Sequence, residues 1–260
     1  MLKILKYSLY DLTRSKWIYL YLVFYLLSGF ALLYLNNDLM SGITNLMNIA
    51  LILCPLISII FGTMYFYNSR DFIELLLAQP IKRKAIILGQ YLGLSLTLSM
   101  GYFVGTALPF LSYGILISDR IYDFAILLVT GSALTFIFTG IAFLISIINE
   151  NKIKGFSFAI FIWLFMAVVY DGLFLLSLFV FNDYPLETFS IGATIFNPID
   201  LARILIMLNL DAAAMLGFTG AVFNKFFGSA YGTGLTALSL GLWIYVPMLF
   251  CIKLGNKKDF

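Results

Sequence analysis

Phe124-Ala-Ile-Leu-Leu-Val-Thr-Gly-Ser-Ala-Leu-Thr-Phe-Ile-Phe-Thr-Gly-Ile-Ala-Phe-Leu-Ile-Ser-Ile-Ile148 runs without a single charge. About 20 residues of helix cross the hydrocarbon core of a bilayer, so this stretch is long enough to span. Its apolar residues are continuous rather than alternating, which excludes a strand of a transmembrane barrel. Open sheet cannot exist in lipid either, because its backbone groups would go unpaired. Five more stretches are long and apolar enough in the same way, at 17–35, 46–67, 86–117, 156–181 and 235–254. The expectation is an all-α integral membrane protein with six transmembrane helices, one domain over 1–260. The stretch 86–117 exceeds one crossing and should tilt or project, with Pro109 as a point of bending.

Little is left over for water. Of the 260 residues, 62% are hydrophobic and 11% charged, with a mean hydropathy of +1.00; soluble domains carry about 25% charge. That excludes a soluble enzyme, a disordered chain and a nucleic-acid module. The net charge of +3 is small, and its placement matters more. With the N-terminus in the cytoplasm, the inner segments hold 13 of the 16 Lys and Arg, leaving Arg120, Arg203 and Lys225 outside. Such a bias on short loops places both termini in the cytoplasm. Lys3, Lys6, Arg14 and Lys16 precede a first apolar run long enough to span, with no small-residue cleavage site after it. The leader therefore reads as retained. Cys54 and Cys251 fall at different depths, so no disulfide between them is expected.

Three segments lie between or before the spans. In 1–16, Leu2, Leu5, Leu9 and Leu12 form a narrow helical stripe beside basic residues, the pattern of an interfacial helix on the inner leaflet. In 68–85, Asn68 or Ser69 can cap a short helix, Asp71 and Glu74 suit its first turns, and Pro80 stops it. That helix carries Phe72, Ile73, Leu75, Leu76 and Leu77. Apolar residues on a short cytoplasmic helix need cover, which either the membrane surface or a groove on another protein supplies. In 182–234, Asn197-Pro198 starts a helix with Asn as cap and Pro in the first turn. The apolar pieces 199–208 and 212–223 are too short to cross and read as re-entrant or interfacial outer helices before the sixth span. Asp200 and Arg203, three apart, can pair. Read as exposed, that pair contributes ~1 kcal/mol at most.

The chain has no His and no G-x-x-x-x-G-K-[ST] phosphate loop, and no cluster of groups suits catalysis or metal binding. Its nine Met residues form no clear motif and read as packing. One ionisable residue sits well inside a span. Asp171 lies roughly 22 Å along the helix from Phe156, in the outer half. A mid-membrane Asp costs ~3 kcal/mol, which the apolar residues of the same span offset by roughly 5–10 kcal/mol. Such residues mark function or bond to a neighbouring helix. Gly89-x-x-x-Gly93 and Gly101-x-x-x-Gly105 allow close helix contact, within one subunit or across a dimer seam.

Together, the basic surface helix, the six spans and the stretch Glu74-Leu-Leu-Leu-Ala-Gln-Pro-Ile-Lys-Arg-Lys-Ala-Ile-Ile-Leu-Gly-Gln-Tyr-Leu-Gly93 resemble the ABC type-2 permeases. More narrowly, Phe196–Arg203 and Leu216–Phe223, with Tyr170-Asp171, are similar to the branch of that family serving copper-site maturation of nitrous oxide reductase. The resemblance implies a homodimer in a bacterial cytoplasmic (inner) membrane. It implies that each copy meets a separate cytoplasmic ATPase subunit, which binds ATP and Mg, through a coupling helix. Asp71, Phe72, Glu74, Leu75, Leu76, Pro80 and Arg83 would make that contact. On the outer side, Asn197, Pro198, Asp200, Arg203 and Lys225 would meet a periplasmic copper-handling protein. The chain itself would hold no cofactor, metal or catalytic residue, and would bind no nucleic acid. An ABC exporter of a lipid, drug or other small solute is the alternative within the class. A proton-coupled secondary transporter using Asp171 is the alternative outside it.

Overall fold

The computed structural model describes residues 1–36, 38–181, 187–210 and 230–256. Among the described residues, six helical runs are long and apolar enough to cross a membrane: Lys16–Asn36 (α2), Leu39–Asn68 (α3), Arg83–Ser112 (α5), Ile121–Ile148 (α6), Lys152–Val180 and Gly232–Asn256. The fifth is α7 (Lys152–Leu164), a π-helical turn (Phe165–Val169) and α8 (Tyr170–Val180) in succession. The sixth lies in α11 (Ala230–Gly255). Short helices complete the described chain: α1 (Leu2–Thr13), α4 (Arg70–Leu77), α9 (Glu187–Phe196) and α10 (Pro198–Asn209).

Local chemistry sets the boundaries. Asp38 caps α3 by accepting from the Ser41 amide at 3.1 Å and the Ser41 hydroxyl at 3.0 Å. The amide bond first, then the hydroxyl, holds its carboxyl below the ordinary carboxylate range. This cap starts the helix at Leu39, well before the apolar run expected from residue 46. α5 stops at Ser112 rather than 117, because Gly114 takes a left-handed φ of +86° and turns the chain. Pro109 sits in the last turn of α5, its ring against Gly29 of α2.

α5 and α6 form the centre. Their most apolar windows are 67% and 72% buried within the chain, against 6% for the fifth span. α3 packs along α6, while α2 and α1 pack along α5. Both small-residue pairs of α5 serve these contacts. An added Cβ at Gly89 or Gly93 would meet Ile4 (2.9 Å) or Ser8 (2.6 Å) of α1. One at Gly105 would stand 2.7 Å from the Leu22 carbonyl oxygen of α2. The side of α1 that packs most tightly is Ile4, Ser8 and Leu12; of the expected leucine stripe Leu12 is buried, Leu5 and Leu9 are half-buried, and Leu2 is exposed. Glycine opens a groove where Ile4 and Ser8 can enter, and this contact orients the helix.

A polar seam fastens α2. Tyr25 Oη lies 3.2 Å from Cys54 Sγ of α3, and Tyr21 Oη donates to the same sulfur at 3.7 Å. Tyr25 meets Tyr102 edge-on at 5.0 Å, and Tyr102 Oη donates to the Leu127 carbonyl of α6 at 3.0 Å. Cys54 and Cys251 are both free and buried.

The charge bias makes the orientation testable. Single cysteines at Arg83→Cys and Lys154→Cys should resist a membrane-impermeant thiol reagent in intact cells. One at Ile117→Cys, 94% exposed in the turn after α5, should react. Labelling at Arg83→Cys from outside would reverse the topology.

Candidate functional sites at the two ends of the bundle

α4 follows α3 after the single residue Ser69, which sits at the N-cap position without a side-chain capping bond. Asn68 does not cap either, since its Oδ1 accepts from Lys152 Nζ at 2.9 Å. Asp71 lies in the first turn, and the helix ends at Leu77, before Pro80. Ile73 is buried, and Phe72 stacks on Tyr7 of α1 at 4.9 Å. Leu76 is half-buried against the core, whereas Asp71, Glu74, Leu75 and Pro80 are exposed. Leu75 is 68% exposed, a bare leucine with an acidic neighbour on a helix whose other side is packed down. Arg83 is half-buried and donates to the Asn256 carbonyl at the end of α11 at 3.4 Å.

At the other end, α9 and α10 meet at 114° around Asn197. Asn197 Oδ1 caps α10 by accepting from the Ile199 amide at 3.1 Å. Pro198 occupies the first helical position, where no amide is needed. α10 is set into the bundle against α6, α3 and α11, and Ile199, Leu201, Ala202, Ile204 and Ile206 are buried. Its apolar residues are thus core rather than a surface lying free at an interface. The reason is geometric: the sharp turn at Asn197 sends α10 back against the bundle.

The same turn brings together residues far apart in sequence. Arg203 Nη1 donates to Asp171 Oδ2 at 2.7 Å and to Asp200 Oδ1 at 3.1 Å. Asn197 Nδ2 donates to Asp200 Oδ2 at 2.7 Å and to the Met166 carbonyl at 2.8 Å. Met166 lies in the π-helical turn, whose wider ring disturbs the i→i−4 ladder of span five; the Asn197 side chain supplies a donor there. Tyr170 Oη donates to the Ala193 carbonyl at 2.6 Å, and Trp243 Nε1 to the Ile195 carbonyl at 3.1 Å. Five side chains therefore clamp the outer hairpin onto span five and α11. The i,i+3 pairing of Asp200 and Arg203 is present, but not as an exposed pair: Asp200 is buried and Arg203 half-buried, because Asp171 faces them.

Asn197, Pro198 and Asp200 are buried, so within the chain they hold the hairpin rather than present a surface. The exposed side chains there are Phe189 and Phe196, which border an aromatic groove of about 450 Å³ with Phe165, Tyr170 and Phe174. Lys225 and the piece 212–223, including Leu216–Phe223, lie outside the described residues. Sequence reasoning missed α9, the π-helical turn and the seat of Arg70 at the end of α6. Only α9 left a signal: Ile191 and Ile195, four apart on one side.

The described residues thus form a bundle of six membrane-length helices with a short helix after the second and a sharply bent helix pair before the sixth. The family model described as ABC-2 family transporter protein matches residues 34–260, and the chain belongs to that family. It is a multi-pass membrane protein, the permease of an ABC transporter. It is similar to the probable ABC transporter permease protein NosY of Stutzerimonas stutzeri, 26% identical over 212 residues, covering 79% of this chain and 70% of that protein. Family membership sets aside the secondary-transporter reading of Asp171.

Proposed function

We propose that two copies of this chain form the membrane part of an ABC transporter in a bacterial cytoplasmic membrane. α4 of each copy docks in a groove of a separate ATPase subunit, which binds ATP and Mg. The observation that carries the reading is the state of α4: Phe72 and Ile73 anchor it, while Asp71, Glu74, Leu75 and Pro80 stay bare. An exposed leucine on an anchored helix is suited to a partner's groove. The fifth span supports the homodimer. It is the least buried of the six and carries a part-exposed ion pair in its outer half, so a second copy there would cover both.

The outer event is copper-site maturation of nitrous oxide reductase, through a periplasmic copper-handling protein. Its support is the likeness to NosY, together with the residues that cluster outside. A chain without His or paired Cys is suited to moving another protein rather than carrying copper. The partner's contact falls on Phe189, Phe196 and the flanking segments rather than on the buried clamp.

Leu75→Asp and Glu74→Arg should abolish co-purification of the ATPase while the permease inserts and melts as the parent does, since exposed sites tolerate change within about 0.5 kcal/mol. Retention of the ATPase by both variants would refute the docking. Nitrous oxide reductase should then lack its copper in cells carrying Leu75→Asp. Fully loaded enzyme there would favour the exporter of a lipid, drug or other small solute.

A further inference from the structure

The first residue of α4 does not face the cytoplasm. Arg70 turns back under the bundle and donates to three carbonyls at the C-terminus of α6: Glu150 at 2.9 Å, Asn149 at 3.1 Å and Ser146 at 3.5 Å. A guanidinium there satisfies carbonyls that have no intrahelical partner and complements the negative end of the helix dipole. The same guanidinium lies over the Tyr67 ring at 4.7 Å. Tyr67 Oη donates to the Asn149 carbonyl at 2.8 Å.

The far side of this junction is the start of span five. Asn151 caps α7 by accepting from the Ile153 and Lys154 amides at 2.9 and 3.2 Å. Lys152 Nζ donates to Asn68 at the end of α3. α7 comes so close that an added Cβ at Gly155 would overlap the Tyr67 hydroxyl. The end of α3, the start of α4, the end of α6 and the start of α7 therefore form one hydrogen-bonded knot. Beyond that knot α7 packs along α3, with Trp163 Nε1 donating to the Ile52 carbonyl at 3.2 Å, and the far half of span five is held by the Asn197–Met166, Tyr170–Ala193 and Arg203–Asp171 bonds.

We propose that Arg70, seated on Tyr67, is the positioning residue that locks the coupling helix to span five, so that displacement of α4 moves α7 and, through it, the outer hairpin. The proposal rests on the docking of an ATPase at α4 and adds the route by which that docking is felt outside. Without the knot, α4 would hold to the bundle through Ser69, the Phe72–Tyr7 stack and the buried Ile73, and its hydrogen-bonded link to the α6–α7 junction would be lost.

The test uses the permease with its ATPase subunit in lipid nanodiscs, with Phe196→Cys as a reporter on the outer hairpin. Cys54 and Cys251 are buried and leave the reporter as the reactive thiol among the described residues. The rate of modification by an impermeant maleimide is measured with and without ATP and vanadate. In the reporter parent the rate changes on trapping; no change there refutes the ATPase coupling itself. In Arg70→Met the ATPase still co-purifies, but the trapping-induced change falls at least ~5-fold, the lower end of a typical coupling free energy. Gly155→Ala, which pushes Tyr67 aside from the α7 face, gives the same loss. Arg70→Lys restores at least half, because an ammonium still reaches the α6 carbonyls. A full trapping response in Arg70→Met and Gly155→Ala overturns the proposal. So does loss of ATPase binding in Arg70→Met, which would make Arg70 part of the docking surface.

Discussion

Arg203→Leu is expected to destabilise the protein by ~2–3 kcal/mol, and Asp171→Leu by less than ~1 kcal/mol. The asymmetry follows from counting charges. Arg203 Nη1 bonds both Asp171 and Asp200, so the cluster has two carboxylates to one guanidinium. Removing Asp171 leaves Arg203 and Asp200 as a balanced pair at 3.1 Å. Removing Arg203 leaves two facing carboxylates with no cation, one of them buried. Breaking a buried pair from one side costs about 3–5 kcal/mol. The Arg203 and Asp171 side chains are 28% and 30% exposed, which brings the expectation below that range. The double variant Arg203→Leu, Asp171→Leu should recover part of the loss. Arg203→Lys should keep part of it, since a single nitrogen makes both bonds. Melting followed by fluorescence-detected size exclusion gives the ordering. Equal losses for Arg203→Leu and Asp171→Leu would show that Asp200 does not balance the guanidinium.

Gly105→Ala should cost ~2–3 kcal/mol, while Gly101→Ala, in the same Gly-x-x-x-Gly, should cost less than ~1 kcal/mol. At Gly105 the new Cβ would stand 2.7 Å from the Leu22 carbonyl oxygen and 2.9 Å from Tyr25 Cβ. Backbone cannot rotate away, so α2 must lift from α5. Tyr25 cannot follow freely, because its hydroxyl meets Cys54 and its ring meets Tyr102. At Gly101 the nearest atom is Tyr21 Cδ1 at 3.3 Å, a side-chain contact that relaxes by a few tenths of an ångström. The same melting assay separates the two, and equal shifts would mean that α2 is not seated on Gly105.

The spans, the short helix after the second and the Asn197-Pro198 start were legible because each is a local signal: a continuous apolar run, a cap, a proline. The Asp200–Arg203 pair was legible for the same reason, being three residues apart on one helix. The partner that changes its character was not. Asp171 and Arg203 are 32 residues apart, and no periodicity joins one helix to another across such a gap. The same holds for Arg70, whose carbonyl partners lie 76 to 80 residues away. For α1 the apolar stripe at Leu2, Leu5, Leu9 and Leu12 was a real periodicity and Leu12 is buried, yet the packed face is turned toward Ile4 and Ser8. What decided the face was the pair of glycines on α5, which a helical wheel of α1 does not contain. The apolar residues of α10 were likewise visible, but the inward turn that buries them is a property of the 114° bend.

The Asp171–Arg203 bond also has an order in time. Synthesis runs from the N-terminus, so Asp171 reaches the membrane before Arg203 does. At 5–20 residues per second the gap of 32 residues lasts roughly 2–6 s. During that interval the carboxyl is carried by the surrounding leucines and phenylalanines of its own helix. The fifth span must therefore be apolar enough to enter lipid with an unanswered acid, and the ion pair becomes a late stitch that closes the outer face once the hairpin has been made.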